Sequence, residues 1–472
     1  MRQRSISRQC VSLAATLLLT LPAVAQIAPP ATTTPAAPAE QQNPVPAPTG
    51  AASPETGLLE RDSLLGTLGG VRTGLAAYGL KLGLSETSEV LGNATGGVRT
   101  GVVYEGLTTA SLDLDLPRLN GLARVSALQI HGRGLSTNNI GNLQTVSSLE
   151  ATRSTRLFEL WYQQSFLEGK VDLRLGQQSA DLEFDVSSYA GLFINSNYGW
   201  STLFTVNLPS GGAAYPLATP AARLRVKADP LTFLLAVYNG SPSGNGSGDP
   251  QGVRNPSGTR FGVGDGVFVI AEAQYAADIA GRAGTYKLGG WYNDNAFTNQ
   301  FFTTTSSTTA PLPGAIPPRN AQGDWSIYGV FDQLVWRKPD VTDGGVGVFA
   351  RIMGSPGDRN LVNLFVDTGV TYKGVFGREN DTVGIGLSYA RIGDTARAAD
   401  RALSQANNDL IPTRSSELVL ELTYQAQLIG SVQVQPVFQY IVRPGAGLFN
   451  PDRPTERIKD AAVFGLRSNI TF

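Results

Sequence analysis

Cationic side chains recur at every second position near residue 225, a spacing that places them on one face of an extended strand. They are Arg223, Arg225 and Lys227, separated by apolar residues. Five further residues alternate with apolar neighbours on two more predicted strands: Glu159, Trp161, Gln163, Asp172 and Arg174. In the first of these strands, the pattern predicts Phe158 on the opposite face. Charged and amide groups aligned on one face can bind a polar solute through hydrogen bonds and ion pairs.

The longest predicted loop, residues 179–220, combines acidic and aromatic side chains. We expect it to fold inward against the cationic strand. Aromatic rings beside hydrogen-bonding groups suit sugars, which have apolar C–H faces and hydroxyl edges. The candidate solute-contact residues are therefore Arg174, Arg223, Arg225, Asp181, Glu183, Asp185, Trp161 and Trp200. Alternatively, the aromatic rings only anchor the loop, and the arginines form structural ion pairs.

Catalytic and metal chemistry finds little support in the sequence. The single histidine, His131, lies in a polar stretch and is interpreted as a barrel or loop residue, and the single cysteine is Cys10. Zinc sites built from cysteine and histidine are excluded by count, and a calcium site at residues 181–185 is a weaker interpretation than a pore-lining loop. We predict no catalytic residue, no metal and no cofactor.

The amino-terminal region divides into three segments. Residues 1–25 combine a basic start, an apolar run and a small-residue cleavage site, which is typical of a secretory signal peptide. Residues 26–56 are rich in proline and alanine and are predicted to be a disordered extension. Residues 57–79 are predicted to be a short periplasmic helical segment, with a helix over 62–78 capped by Asp62.

Residues 80–472 read as strands of a membrane barrel. Sixteen candidates of membrane-crossing length are separated by alternating short and long links, and they lie near 80–91, 98–115, 122–131, 157–166, 170–178, 221–229, 231–239, 266–276, 284–293, 325–337, 345–353, 362–373, 382–391, 416–427, 431–442 and 461–472. Lipid offers no partners to unpaired backbone groups, so such a chain must close into a barrel. The fold class is all-β: a transmembrane antiparallel β-barrel of about 16 strands, wide enough for an aqueous channel.

The last strand carries apolar side chains on one face and polar ones on the other, as suits a wall between lipid and water. The apolar face holds Phe464, Leu466, Ile470 and Phe472. We interpret Phe472 as a membrane-insertion signal read by the barrel-assembly machinery. Without residues 1–25 the chain has 37 − 3 = 34 basic and 38 acidic residues, a balance that argues against nucleic acid as a partner.

Several sequence blocks together resemble the carbohydrate-selective porin family of the OprB type. The blocks are 129–136, 142–144, 157–164, 173–178, 193–195, 198–200, 208–217, 439–445 and 466–472. The resemblance spans about residues 60–472 and departs in loops 240–265 and 294–324. It implies a sixteen-stranded barrel in the bacterial outer membrane for passive diffusion of glucose and related sugars. Constriction arginines and acids would contact the sugar hydroxyls, at Arg174, Arg223, Arg225, Asp181 and Glu183 here.

The expected partners are carbohydrate solutes, outer-membrane lipid and lipopolysaccharide, with a homo-oligomer possible. Three alternatives stay open at this point. The first is a general or ion-selective porin of the same fold, and the second is an outer-membrane enzyme dependent on His131. The third is a structural protein that tethers the barrel to the cell wall through residues 26–56.

Overall fold

The computed structural model describes residue 57 and residues 61–301, 320–339, 341, 344–406 and 411–472. The predicted signal peptide at 1–25 and the proline- and alanine-rich segment at 26–56 lie outside the described residues.

Sixteen antiparallel strands form one closed barrel, and β1 closes it against the last strand. The barrel strands are β1 (Leu80–Gly97), β2 (Gly101–Leu116), β3 (Gly121–Gly132), β4 (Ser154–Phe166), β5 (Val171–Gln178), β6 (Thr219–Ala228), β7 (Leu231–Asn239), β8 (Val267–Asp278), β9 (Ala283–Thr298), β10 (Asn320–Arg337), β11 (Gly345–Gly354), β12 (Val362–Lys373), β13 (Thr382–Ile392), β14 (Ser416–Ile429), β15 (Val432–Val442) and β18 (Lys459–Thr471). All sixteen predicted strands are present, and the predicted fold class is confirmed. Short and long connections alternate as expected with two exceptions: only three residues join β1 to β2, and seven join β11 to β12, as many as in the short connection from β10 to β11.

The remaining elements are not part of the barrel sheet. Strands β16 (Phe449–Asn450) and β17 (Arg453–Arg457) form a small hairpin, and the α-helices among the described residues are α1 (Val71–Ala76), α2 (Thr202–Asn207) and α3 (Asp394–Ala406). The hairpin, α2 and α3 lie within connections predicted only as loops. No helix among the described residues is long and apolar enough to cross a membrane.

The predicted helix over 62–78 is wrong in length. Helix α1 begins after Gly70, not at Asp62, and Gly70 provides no side-chain cap. The preceding turn contains Gly66, Leu68 and Gly69, all with positive φ. A right-handed helix cannot continue through left-handed residues, so only its last part forms.

The two faces of the wall differ in chemistry. The outer face exposes large apolar side chains, such as Leu288 at 69% and Val102 at 68%. Near the short-turn end it carries a belt of aromatic rings, as at a membrane interface: Tyr275, Tyr286, Phe331, Trp336, Tyr372, Phe376 and Tyr424. The inner face carries polar and charged groups, together with buried apolar side chains such as Phe268 and Tyr328 that form one cluster with Phe204 of the 179–218 loop. The wall therefore separates an apolar exterior from an interior in which charged groups and packed apolar groups occupy different parts.

A bulge in β4 corrects one predicted side-chain direction. The register with β3 shifts between Val125 and Ala127, so the β4 partners Leu157 and Leu160 are separated by one extra residue. Phe158 and Glu159 are consequently both buried, while Leu160 is 46% exposed on the outer face. The expectation that Phe158 opposes Glu159 is wrong because an unpaired residue resets the alternation.

Two long loops, residues 133–153 and 179–218, contact inward-facing carboxylates of the wall. Glu421 of β14 accepts hydrogen bonds from the backbone N–H groups of Ile194 and Asn195 at 2.7 and 3.0 Å. Glu417 accepts bonds from Leu143 and Gln144, both at 2.8 Å. These bonds fix both loops to the β14 side of the lumen.

The same pattern continues on strands β8 and β10. Glu272 accepts the N–H of Asp185 at 2.9 Å, and Asp332 accepts that of Ser188 at 2.9 Å. Gln435 of β15 donates to the carbonyl oxygen of Leu192 at 2.7 Å. Four strands therefore hold the 179–218 loop inside the barrel, which confirms that this loop folds inward.

Replacing Leu288 with arginine should destabilise the barrel. Leu288 lies on the lipid-facing side of β9, where an arginine near mid-depth costs about 2–4 kcal/mol. The free energy of unfolding in lipid vesicles, measured by urea titration, should fall by that amount. Leu288→Phe, which keeps an apolar surface, is the control, and equal stability of the two variants would contradict the assigned orientation.

Replacing Glu421 with glutamine should loosen the inward loop. The amide keeps the shape of the carboxylate but loses its charge and one of the two acceptors facing Ile194 and Asn195. Single-channel recordings should show larger or more frequent current fluctuations than in the parent protein. Glu456→Gln, at a half-exposed side chain of β17, is the control. Unchanged current fluctuations in the Glu421 variant would show that other contacts hold the loop.

Candidate solute-contact site

A row of alternating charges crosses the inner wall from β2 to β6, and we call it the charge ladder. Its cations are Arg124, Arg174, Arg223 and Arg225, and its anions are Asp113, Glu159, Asp172 and Glu183. Seven of the eight residues come from strands, and Glu183 comes from the inward loop. The register aligns them, because inward residues of neighbouring strands lie side by side.

At the centre of the ladder, two arginines occupy directly opposed positions. Arg174 of β5 pairs in register with Arg223 of β6, an arrangement that is destabilising for like charges. Glu183 offsets the repulsion between the two arginines by pairing with each of them. One carboxylate oxygen lies 2.9 Å from Arg174 Nη1 and the other lies 2.6 Å from Arg223 Nε. Gln163 accepts bonds from both guanidinium groups at 3.0 Å.

The β6 end of the ladder is the more open. Asp172 contacts the guanidinium of Arg223 and lies 2.7 Å from Arg225 Nε. The Arg223 side chain is fully buried, whereas that of Arg225 is 30% exposed. Arg225 therefore keeps part of its guanidinium open toward the lumen, and Arg174 and Glu183 are open to about half that extent.

Trp161 lies beside the ladder on the inner face, as predicted. Its Nε1–H donates to Glu159 at 3.2 Å. The guanidinium carbon of Arg174 lies 4.0 Å from the ring centroid, a cation–π distance. One face of the ring is thus covered by arginine, and the side chain is buried.

The other three predicted contact residues lie apart from the ladder. Asp181 is buried and accepts bonds from Ser179 and from the N–H of Tyr215, at 3.1 Å for the latter. Burial raises the pKa of Asp181 to about 6, although these hydrogen bonds lower it in part. Trp200 stacks on Phe204 with ring centroids 4.0 Å apart, and its Nε1–H donates to Gly211. Both residues organise the interior of the loop.

Asp185 belongs to a second buried ion cluster. Arg351 of β11 lies 3.3 Å from the Asp185 carboxylate and also pairs with Asp367 of β12. Burial raises the pKa of Asp185 to about 7, while Arg351 acts in the opposite direction. Arg351 further donates to the carbonyl oxygens of Asn197 and Gly199 at 2.7 and 3.2 Å.

Sequence reasoning missed Arg351, Asp367, Arg124 and the four wall carboxylates that hold the loops. A signal was present, since each is a charged side chain at an alternate position of a predicted strand. The pattern does not identify the partner of each side chain, because the contacts join segments that are far apart in sequence. Lys227, in contrast, shares the inner face of β6 with the two arginines but is exposed at the strand end.

Chemically, the ladder offers both donors and acceptors in fixed positions along the lumen. Guanidinium N–H groups, carboxylate oxygens and the Gln163 amide can exchange hydrogen bonds with a hydroxylated solute. Among the described residues, no group of three or more histidine, cysteine, aspartate or glutamate side chains could hold a metal ion. The arrangement can therefore bind a polar solute through hydrogen bonds and ion pairs.

Known porins resemble this chain in sequence. The model of the carbohydrate-selective porin family, OprB, matches residues 99–472. Porin B of Pseudomonas aeruginosa is 24% identical over 440 residues, covering 87% of this chain and 91% of its own. A putative porin, QuiX, of Acinetobacter baylyi is 23% identical over 450 residues, covering 88% and 94%.

Solved structures share the fold. The high-pH structure of Pseudomonas putida OprB superposes with a TM-score of 0.77 at 20% identity, covering 88% of this chain and all of that one. The low-pH structure of the same protein gives 0.52 at 17% identity and the same coverage of this chain. With the family match spanning most of the sequence, the chain is an outer-membrane porin, not an enzyme, and it belongs to the OprB family of carbohydrate-selective porins.

Proposed function

We propose that this porin passes glucose and related mono- and oligosaccharides by passive diffusion, and that the charge ladder is the wall they contact. The observation that carries the proposal is the balance of the ladder, which contains four cations and four anions. A neutral solute gains hydrogen bonds from such a wall without facing a net field. A wall with one sign of charge would instead select ions.

The proposed contact surface consists of the ladder side chains that are partly exposed to the lumen. Arg225, Arg174, Glu183 and Gln163 are partly open, so they are the groups able to exchange bonds with sugar hydroxyls. Arg223 and Asp172 are buried, and their role is to hold those groups in place. Asp181, Asp185 and Trp200 support the loop that narrows the lumen opposite the ladder.

Sugar titration of the single-channel current in a planar bilayer tests the proposal. Glucose and maltose-type sugars should reduce the current in a saturable manner, because a bound sugar displaces conducting ions. A stable conductance that ignores sugar would support the general or ion-selective porin instead. Absence of conductance from correctly folded protein would contradict a channel function for this chain.

Replacing Arg225 with glutamine should weaken the sugar block by about tenfold or more. A hydrogen bond to a charged group contributes about 1.5–3 kcal/mol, and 1.4 kcal/mol corresponds to a factor of ten. The measurement is the sugar concentration that halves the current. Arg453→Gln, at a half-exposed arginine outside the barrel wall, is the control, and equal weakening in both variants would remove Arg225 from the contact surface.

Replacing Glu183 with glutamine should make the pore anion-selective. The change leaves four cations against three anions and removes the bridge between Arg174 and Arg223. The reversal potential under a potassium chloride gradient should shift toward that of chloride. Glu168→Gln, in an exposed turn, is the control; an unchanged reversal potential would place Glu183 outside the ion path.

A further inference from the structure

Two adjoining clefts open at the end of the barrel where the long connections lie. One cleft, of about 510 Å³, lies between the turn that joins β1 to β2 and the β16–β17 hairpin. The other, of about 420 Å³, lies between the same turn and residues 133–139. Arg99 of the turn lines both clefts. Short turns of outer-membrane barrels face the periplasm and longer loops face outward, so the clefts open toward the outside of the cell.

The clefts are lined mainly by cations, with Asp452 as the one carboxylate among their lining residues. We call the four cations, all of them exposed, the cationic rim: Arg99, Arg133, Arg453 and Lys459. Arg99 Nε lies 3.9 Å from Asp452, and Arg453 lies 3.3 Å from Glu456. The described part of the chain provides no ion pair for the side chains of Arg133 and Lys459. The rim therefore carries more positive charge than its own acids neutralise.

Hydrogen bonds hold the turn that carries Arg99 in one position. Asn93 Nδ2 donates to the carbonyl oxygen of Arg99 at 3.0 Å, and Asn450 Nδ2 donates to that of Val98 at 3.0 Å. The side chain is fixed as well, because Arg99 Nε donates to the carbonyl oxygen of Asn138 at 2.9 Å. It is nevertheless 58% exposed. A cation that is already positioned loses little conformational freedom when an anion binds to it.

The wall directly below the rim is apolar and faces lipid. Val102 of β2 lies two residues beyond the turn and is 68% exposed, and Phe464 of β18 is 56% exposed. Both pair with Gly92 of β1, so they lie in one row around the barrel. Val90 and Leu466, which pair with each other, extend this exposed apolar face farther from the rim. Positive charge thus lies above an apolar surface on the same strands.

We propose that the cationic rim binds the phosphate groups of lipopolysaccharide in the outer leaflet of the membrane. Guanidinium and ammonium groups are the usual protein partners of phosphate. The lipid carries its phosphates close to its acyl chains, and a molecule held at the rim would place those chains against Val102 and Phe464. A soluble phosphate ester supplies charge for the rim but no group for the apolar row below it. The combination of the two surfaces therefore favours the lipid.

The affinity of the parent protein for two forms of the lipid tests the proposal. The full protein in a mild detergent is titrated with fluorescent lipopolysaccharide, once with its phosphates intact and once after dephosphorylation. The intact lipid should bind about tenfold more tightly or better, because it alone supplies the anions, and added salt should weaken its binding. The measurement is the dissociation constant from fluorescence anisotropy. Equal dissociation constants for the two lipids would overturn the proposal.

A double variant and a matched control locate the site. Arg133→Gln with Lys459→Gln removes two cations of the rim. Arg118→Gln with Lys170→Gln removes two exposed cations from short turns at the opposite end of the barrel. The rim variant should raise the dissociation constant of the intact lipid by about tenfold or more, and the control variant should leave it unchanged.

Each outcome supports the proposal or overturns it. Weaker binding confined to the rim variant supports it, whereas equal weakening in both variants shows attraction to net charge alone and overturns it. Glucose 6-phosphate that displaces the lipid at an equal concentration would assign the rim to soluble phosphates and would also overturn it. If the rim variant does not fold, Lys459→Gln alone takes its place and should weaken binding about fivefold. Single-channel sugar block should be unchanged in every variant, which separates this proposal from the one on solute passage.

Discussion

The structure depends on buried carboxylates of the wall that accept hydrogen bonds from the backbone of the inward loops. A sixteen-stranded cylinder is wide enough to leave an aqueous channel, and two loops of this chain enter it. A loop entering the lumen carries N–H groups that require acceptors, and an acid on the inner wall requires donors when water is displaced. Glu421 with Ile194 and Asn195 satisfies both needs at once, as does Glu272 with Asp185.

This arrangement divides the lumen into two dissimilar walls. On strands β8, β10 and β14 the acids are buried and accept hydrogen bonds from backbone N–H groups of the inward loops. On strands β3 to β6 the partners are side chains, and ion pairs leave Arg225 and part of Arg174 open. Glu183 connects the two walls, since it belongs to the loop but completes the ladder. The inner wall thus has one side that anchors the loops and one side with partly open charged groups.

The sequence predicted the barrel well because alternation is a local property. In β6, Arg223 and Arg225 alternate with apolar residues. A charged side chain that faced lipid would destabilise the barrel, so both arginines are predicted to face the lumen. The bulge at Phe158 could not be predicted, because the residues of β4 carry no sign of an extra unpaired position. The hydrogen bonds that fix the loops to the wall could not be predicted either, since Glu421 and Asn195 are separated by 226 residues along the chain. The composition of the loop predicts Trp200 and Asp185 as solute-contact residues together with the arginines. In the structure, Trp200 packs on Phe204 inside the loop and Asp185 pairs with Arg351.

The same desolvation argument applies on both sides of the wall, and it connects the interior with the exterior. Inside the barrel, every wall acid discussed here is matched by a loop N–H or an arginine, and these contacts fix the loops and the charged side chains in place. On the exterior, Glu86 is matched only in part, by two hydroxyl groups and an imidazole that remain exposed. The partners of Glu86 come from strands β1 to β3, and Gly106 leaves the space that the imidazole occupies beside it. The inner acids differ because a loop or an arginine from another segment completes their coordination by hydrogen bonds.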